Sequence, residues 1–67
     1  MAGMEQELPL VMRVADVQRA LMISRLKAYE LVHQAGFPAV RIGRAIRIPR
    51  DAFIRWLHEQ TSVEVRG

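Results

Sequence analysis

Arginine is the side chain on which the chemistry of this sequence rests: nine of its ten basic residues are arginine, whose planar, permanently charged fork suits bidentate contact with phosphate oxygens. Their placement matters more than their total. Residues 1–12 carry Glu5 and Glu7, a net of −2, and residues 56–67 carry Glu59, Glu64 and Arg66, a net of −1. Between Arg13 and Arg55, nine basic residues face only Asp16, Glu30 and Asp51, a net of +6. The formal charge of +3 on 67 residues is thus a basic centre between acidic ends. Its densest part, Arg41-Ile42-Gly43-Arg44-Ala45-Ile46-Arg47-Ile48-Pro49-Arg50, holds four arginines and no acid. A concentration of this kind attracts a polyanion; the plainer reading is a solvated face.

Other chemistries find less material. A hydrolase or transferase needs a nucleophile within reach of a base, and besides Ser24 the hydroxyl groups are Tyr29, Thr61 and Ser62, the last two near the end of the chain. His33 and His58 have neither His-x₃-His nor His-Glu-x-x-His spacing, so no metal site is expected. No glycine-rich phosphate loop is present, and with zero cysteines there is neither a disulfide framework nor a thiolate site. The sequence is read as a non-enzyme without a cofactor. No apolar run approaches the roughly 18 residues of a membrane span, and the acidic amino terminus does not resemble a secretory signal, so a cytoplasmic protein is expected.

The elements that must position the arginines follow from periodicity. A hydrophobic share of 51% and a charged share of 25% are those of an ordinary globular domain, and a chain this short holds one small domain at most. Val14, Val17 and Leu21 fall on one face of a first helix, Val14 to Leu21. Met22-Ile23-Ser24 breaks the pattern, and Ser24 is placed to cap a second helix. Its stripe is Ala28, Leu31, Val32 and Ala35, with Gly36 as its stop and Pro38 soon after. The period then changes to two: Val40, Ile42, Ile46 and Ile48 alternate with arginines around Gly43-Arg44-Ala45, which reads as a hairpin. Putting all four apolar residues on one face requires a three-residue loop, with Ile42 opposite Ile46 and Val40 opposite Ile48. The commoner two-residue Gly43-Arg44 turn would expose half of them. In the expected register Arg41 and Arg47 stand opposite each other on the outer face, a repulsion that an anionic partner would relieve. Pro49-Arg50-Asp51 starts a third helix to about Gln60, burying Ala52, Phe53, Trp56 and Leu57 and leaving Ile54 outward. Residues 1–9 read as a disordered tail, 10–60 as the folded domain and 61–67 as a frayed end.

Helix, tight turn, serine-capped helix and hairpin is the arrangement in which the second helix can lie in a major groove. Ser24-Arg25-Leu26-Lys27-Ala28-Tyr29-Glu30-Leu31-Val32, then Gly36-Phe37-Pro38-Ala39-Val40-Arg41-Ile42-Gly43-Arg44, then Ile46-Arg47-Ile48-Pro49-Arg50-Asp51-Ala52-Phe53-Ile54-Arg55-Trp56-Leu57, resembles the excisionase family of small DNA-binding proteins, which is related to MerR-type domains. The likeness covers about Met12 to Leu57. It implies a mainly α fold with a small β-hairpin, a winged helix-turn-helix with helix two in the major groove and the hairpin as a wing at the minor groove. It further implies a bacterial or phage-encoded, nucleoid-associated protein that acts as a recombination directionality factor or as a prophage or plasmid transcription regulator. Its partners would be double-stranded DNA, an integrase or recombinase, or copies of itself on adjacent sites. Ile54 is a candidate contact for such a neighbour.

Four positions depart from the family. Gln18 stands where alanine is usual and Met22 where glycine is usual; Arg13 takes the place of a capping threonine or serine, so the first helix should fray there. Glu30 replaces a usual arginine or lysine. It either accepts from a cytosine amino group or pairs with Lys27 or Gln34 and reads nothing.

On helix two, Ser24, Arg25, Leu26, Lys27, Tyr29, Glu30 and His33 form the expected DNA-binding face. Arg25 and Lys27 touch phosphates or a guanine. Tyr29 either hydrogen-bonds a phosphate while its ring packs between helix and wing, or belongs to the edge of the core. In the wing, Arg44 enters the minor groove from the tip beside Gly43, with Arg41 and Arg47 on the backbone. Arg19 and Arg50 are second-rank phosphate contacts. Two rival readings remain. In one, the same fold is an adaptor for a protein such as an integrase or a transcription component. In the other, the chain binds RNA or a membrane surface, for which exposed stacking aromatics or a long basic helix would be wanted.

Overall fold

The computed structural model describes residues 8–66, with side chains as far as Thr61. The order of elements is β1 (Val11–Met12), α1 (Val14–Leu21), α2 (Arg25–Val32), β2 (Val40–Ile42), β3 (Ala45–Pro49) and α3 (Arg50–Arg66). It is a mainly α winged helix-turn-helix whose three strands form an antiparallel sheet in the order β1-β3-β2.

Helix α1 has the expected bounds, and its start is firmer than an arginine cap promised. Arginine offers no acceptor, but the Asp16 carboxylate reaches back to the Arg13 backbone N–H at 2.9 Å, the acidic half of a capping box. At the other end Met22 N–H donates to Arg19 C=O and Ile23 N–H to Gln18 C=O, the crossed pair of a Schellman stop. That stop places Met22 in the left-handed region, φ 57°. Helix α2 begins where Ser24 Oγ accepts from Lys27 N–H at 3.1 Å. It ends a turn sooner than its apolar stripe implied: His33 is the cap, and its Nδ1–H donates to Tyr29 C=O at 2.8 Å. Ala35 is therefore exposed, and Gly36, at φ 91°, belongs to the turn beyond the helix.

The hairpin corrects the expected register. The pairs are Val40 with Arg47, Arg41 with Ile46 and Ile42 with Ala45, so Gly43-Arg44 is a two-residue loop. Gly43 takes φ 61° at its first position, as a II′ turn requires. The cause is β1, which periodicity did not reveal. Met12 lies opposite Ile48, filling the core position beside Ile48 that the expected register gave to Val40. With no room left there, Val40 and Ile42 turn outward, 48% and 63% exposed, and the commoner turn prevails. Arg41 and Arg47 consequently project to opposite faces, and the expected repulsion between them is absent.

Met12, Val17, Val32, Phe37, Ile48 and Phe53 form the buried core. Phe37, delivered by the turn after α2, meets Trp56 edge-on at 4.9 Å between ring centroids, and Phe53 stacks at 6.2 Å from Trp56. Ile54, expected outward, is half-buried and packs on this cluster, which leaves little of it for a neighbouring molecule. Helix α3 continues past Gln60 to Arg66. Leu8 also packs on the core. The rest of the expected amino-terminal tail, apart from exposed Pro9, lies outside the described residues.

Candidate nucleic-acid interface

Ala28, Leu31 and Val32 seat α2 on the rest of the molecule. At about 100° per residue, the opposite side of the helix carries the side chains that the sequence assigned to reading DNA. All of them, Ser24, Arg25, Leu26, Lys27, Tyr29, Glu30 and His33, are exposed. Among the described residues the ion pairs are Arg19 with Asp16 and Arg50 with Asp51. Arg25, Lys27, Arg41 and Arg44 therefore present charge that no carboxylate of the described chain offsets, and all four are exposed.

The assigned residues divide by what holds them. Arg44 occupies the second position of the hairpin turn, where its stem has open solvent around it. Arg47 is half-buried, and its Nη1–H donates to the neighbouring Ile46 C=O at 2.9 Å, so its fork is partly oriented by the sheet. Arg19 is held by Asp16. Arg50 reaches Leu8 C=O at 3.4 Å and Asp51 Oδ1 at 3.2 Å, tying the segment before β1 to the start of α3. These last two arginines have structural work, which lowers their weight as phosphate ligands.

Of the two expected placements of Tyr29, the edge of the core is not the one observed. At 54% exposed it is not part of the core. Its ring lies 4.8 Å from that of His33, and the residue borders a groove of about 490 Å³ between α1 and α2, lined by Val14, Ala15, Gln18, Arg25 and Tyr29. A guanidinium, a phenol and a primary amide around one open groove are a donor set for phosphodiester oxygens. Gln18 is the member that sequence reading missed, since it was noted only for its size. Its half-buried side chain brings a polar group to the groove, where alanine would bring none. Arg13 and Arg55 are further exposed cations with no acid partner among the described residues, and no spacing singled them out.

The described residues contain no helix long and apolar enough to cross a membrane. Among proteins of known sequence, two from strains of Mycobacterium tuberculosis, each named "Putative DNA-binding protein", are 38% identical to this chain over 42 residues, or 63% of its length. The match takes in 54% of each relative, so the chain aligns with about half the length of these curated proteins. No solved structure matches. The family described as Helix-turn-helix domain matches residues 11–61, from the first strand into the last helix, and the chain belongs to that family.

Proposed function

We propose that the protein is a cytoplasmic, sequence-specific double-stranded DNA-binding protein and not an enzyme, with α2 in the major groove and the β2–β3 wing at the minor groove. The observation that carries this reading is the set of exposed, unpaired cations on the two elements that a helix-turn-helix turns toward DNA: Arg25 and Lys27 on α2, Arg41 and Arg44 on the wing. The names of the mycobacterial relatives agree with it. The finer assignment, an excisionase-like directionality factor or a prophage or plasmid regulator of MerR-like build, rests on the motif likeness from Ser24 to Leu57. An integrase and further copies of the chain on adjacent sites are the partners that assignment brings.

The test is a salt titration of duplex binding. With Arg25, Lys27, Arg41, Arg44 and Arg47 on phosphates, log affinity falls with log salt at a slope of about −4 to −5, at roughly 0.9 per contact. Replacing Arg44 by alanine lowers the slope by about 1 and weakens binding to all duplexes alike. A slope near zero, or binding to an integrase with no shift of DNA, rejects the reading in favour of a protein adaptor.

A further inference from the structure

On the DNA-binding reading just proposed, the residues of α2 farthest from the core are an odd pair for a basic surface: a leucine and a glutamate. Taking Ala28 as the inward direction, Leu26 and Glu30 lie about 20° to either side of the opposite pole of the helix. They are four residues apart, hence neighbours on its surface. Leu26 is 65% exposed. Glu30 is exposed and has neither an ion pair nor a side-chain hydrogen bond among the described residues, although Lys27 and Gln34 border the same shallow groove. Local pairing therefore does not account for the acid.

We infer that Leu26 and Glu30 together read a pyrimidine step, Leu26 packing on the C5-methyl of a thymine and Glu30 accepting from the N4 amino group of the adjacent cytosine. Each half follows from what a major groove displays. An ionised carboxylate can only accept, and near phosphates it is repelled unless a base gives it a hydrogen. On its own edge cytosine presents an amino group with C5–H and no acceptor beside it, whereas the adenine amino group is flanked by its own N7 acceptor and by O4 of the paired thymine. A leucine has no polar group to give or take, and the thymine methyl is the apolar feature of the groove. Flanking Lys27, Tyr29 and His33 leave the pair at the centre of the face, where phosphates are farthest away.

The experiment selects binding sites from a random duplex library with the full chain and then alters the enriched site one group at a time. Enriched sites contain thymine next to cytosine. Replacing that thymine by uracil, which removes the methyl group alone, costs the wild type about fourfold in affinity, the value of one buried methyl. Leu26→Ala shows no difference between thymine and uracil. Glu30→Gln loses the preference for cytosine and moves toward adenine, the usual partner of an amide. Both substitutions are at exposed positions, and unchanged helical circular dichroism checks the fold. Sites without a thymine–cytosine step, a wild type indifferent to uracil, or a Glu30→Gln protein that still prefers cytosine overturn this inference and leave DNA binding standing. A chain that enriches no duplex overturns the functional reading and this inference together.

Discussion

Met22 sits at 90% exposure in a left-handed conformation, φ 57°, at the turn between the two helices. It is the positive-φ residue other than glycine among the described residues. For an L side chain this conformation costs about 1–2 kcal/mol, because Cβ crowds the following carbonyl oxygen. Glycine avoids the clash but enlarges the entropy of the unfolded chain by about 0.4–1 kcal/mol. With so little of Met22 buried, no packing is lost, and Met22→Gly should stabilise the domain by about 0.5–1 kcal/mol. For a domain of this size that raises the melting temperature by roughly 2–8 °C. Thermal melts followed by circular dichroism and by the fluorescence of Trp56, which packs on Phe37, measure it. Met22→Ala keeps Cβ and should gain nothing, Met22→Asn should fall between, and Met22→Val should be the least stable. If alanine stabilises as much as glycine, the gain comes from removing the methionine side chain and the backbone argument is wrong.

Three further outcomes follow from the packing. Ile42→Thr should change stability by less than about 0.5 kcal/mol, whereas Ile48→Ala should cost about 2–5 kcal/mol; urea melts giving equal losses would restore the three-residue hairpin loop. Asp16→Ala removes the acceptor for the Arg13 N–H and the partner of Arg19. It should cost about 1 kcal/mol, with hydrogen exchange accelerated in the first turn of α1 and little change at α3. Phe37→Ala should remove about 3–5 kcal/mol, enough to unfold much of so small a domain, and is read from the loss of the Trp56 signal and of cooperative melting.

The parts of the fold that the sequence made legible are those whose periodicity and capping agreed with burial: α1 with its apolar face, the Ser24 cap, and the Pro49-Arg50-Asp51 start of α3. In the hairpin the reading failed because it assumed that all four apolar residues must be buried. β1 is two residues long behind a proline, too short for any period, yet its Met12 is fully buried opposite Ile48. That single unseen strand altered the hairpin. Once Met12 occupies the core beside Ile48, β2 has nothing to bury, and its register passes from the hydrophobic pattern to the turn, where Gly43 decides it. The exposed face of α2 was legible because exposure on a short helix follows from three inward residues, Ala28, Leu31 and Val32. The groove that Tyr29 and Gln18 border was not legible, because it depends on the approach of α1, which no spacing within α2 encodes. The outward turn of β2 also bears on function. All three of its residues are exposed, so β2 is held by strand pairing and the Gly43 turn and not by the core. Elements with few buried contacts are the first to open, so the amides of β2 should exchange before those of β3. On the function proposed above, an arginine-tipped wing on such a base would settle into a minor groove at little cost to the domain that carries it.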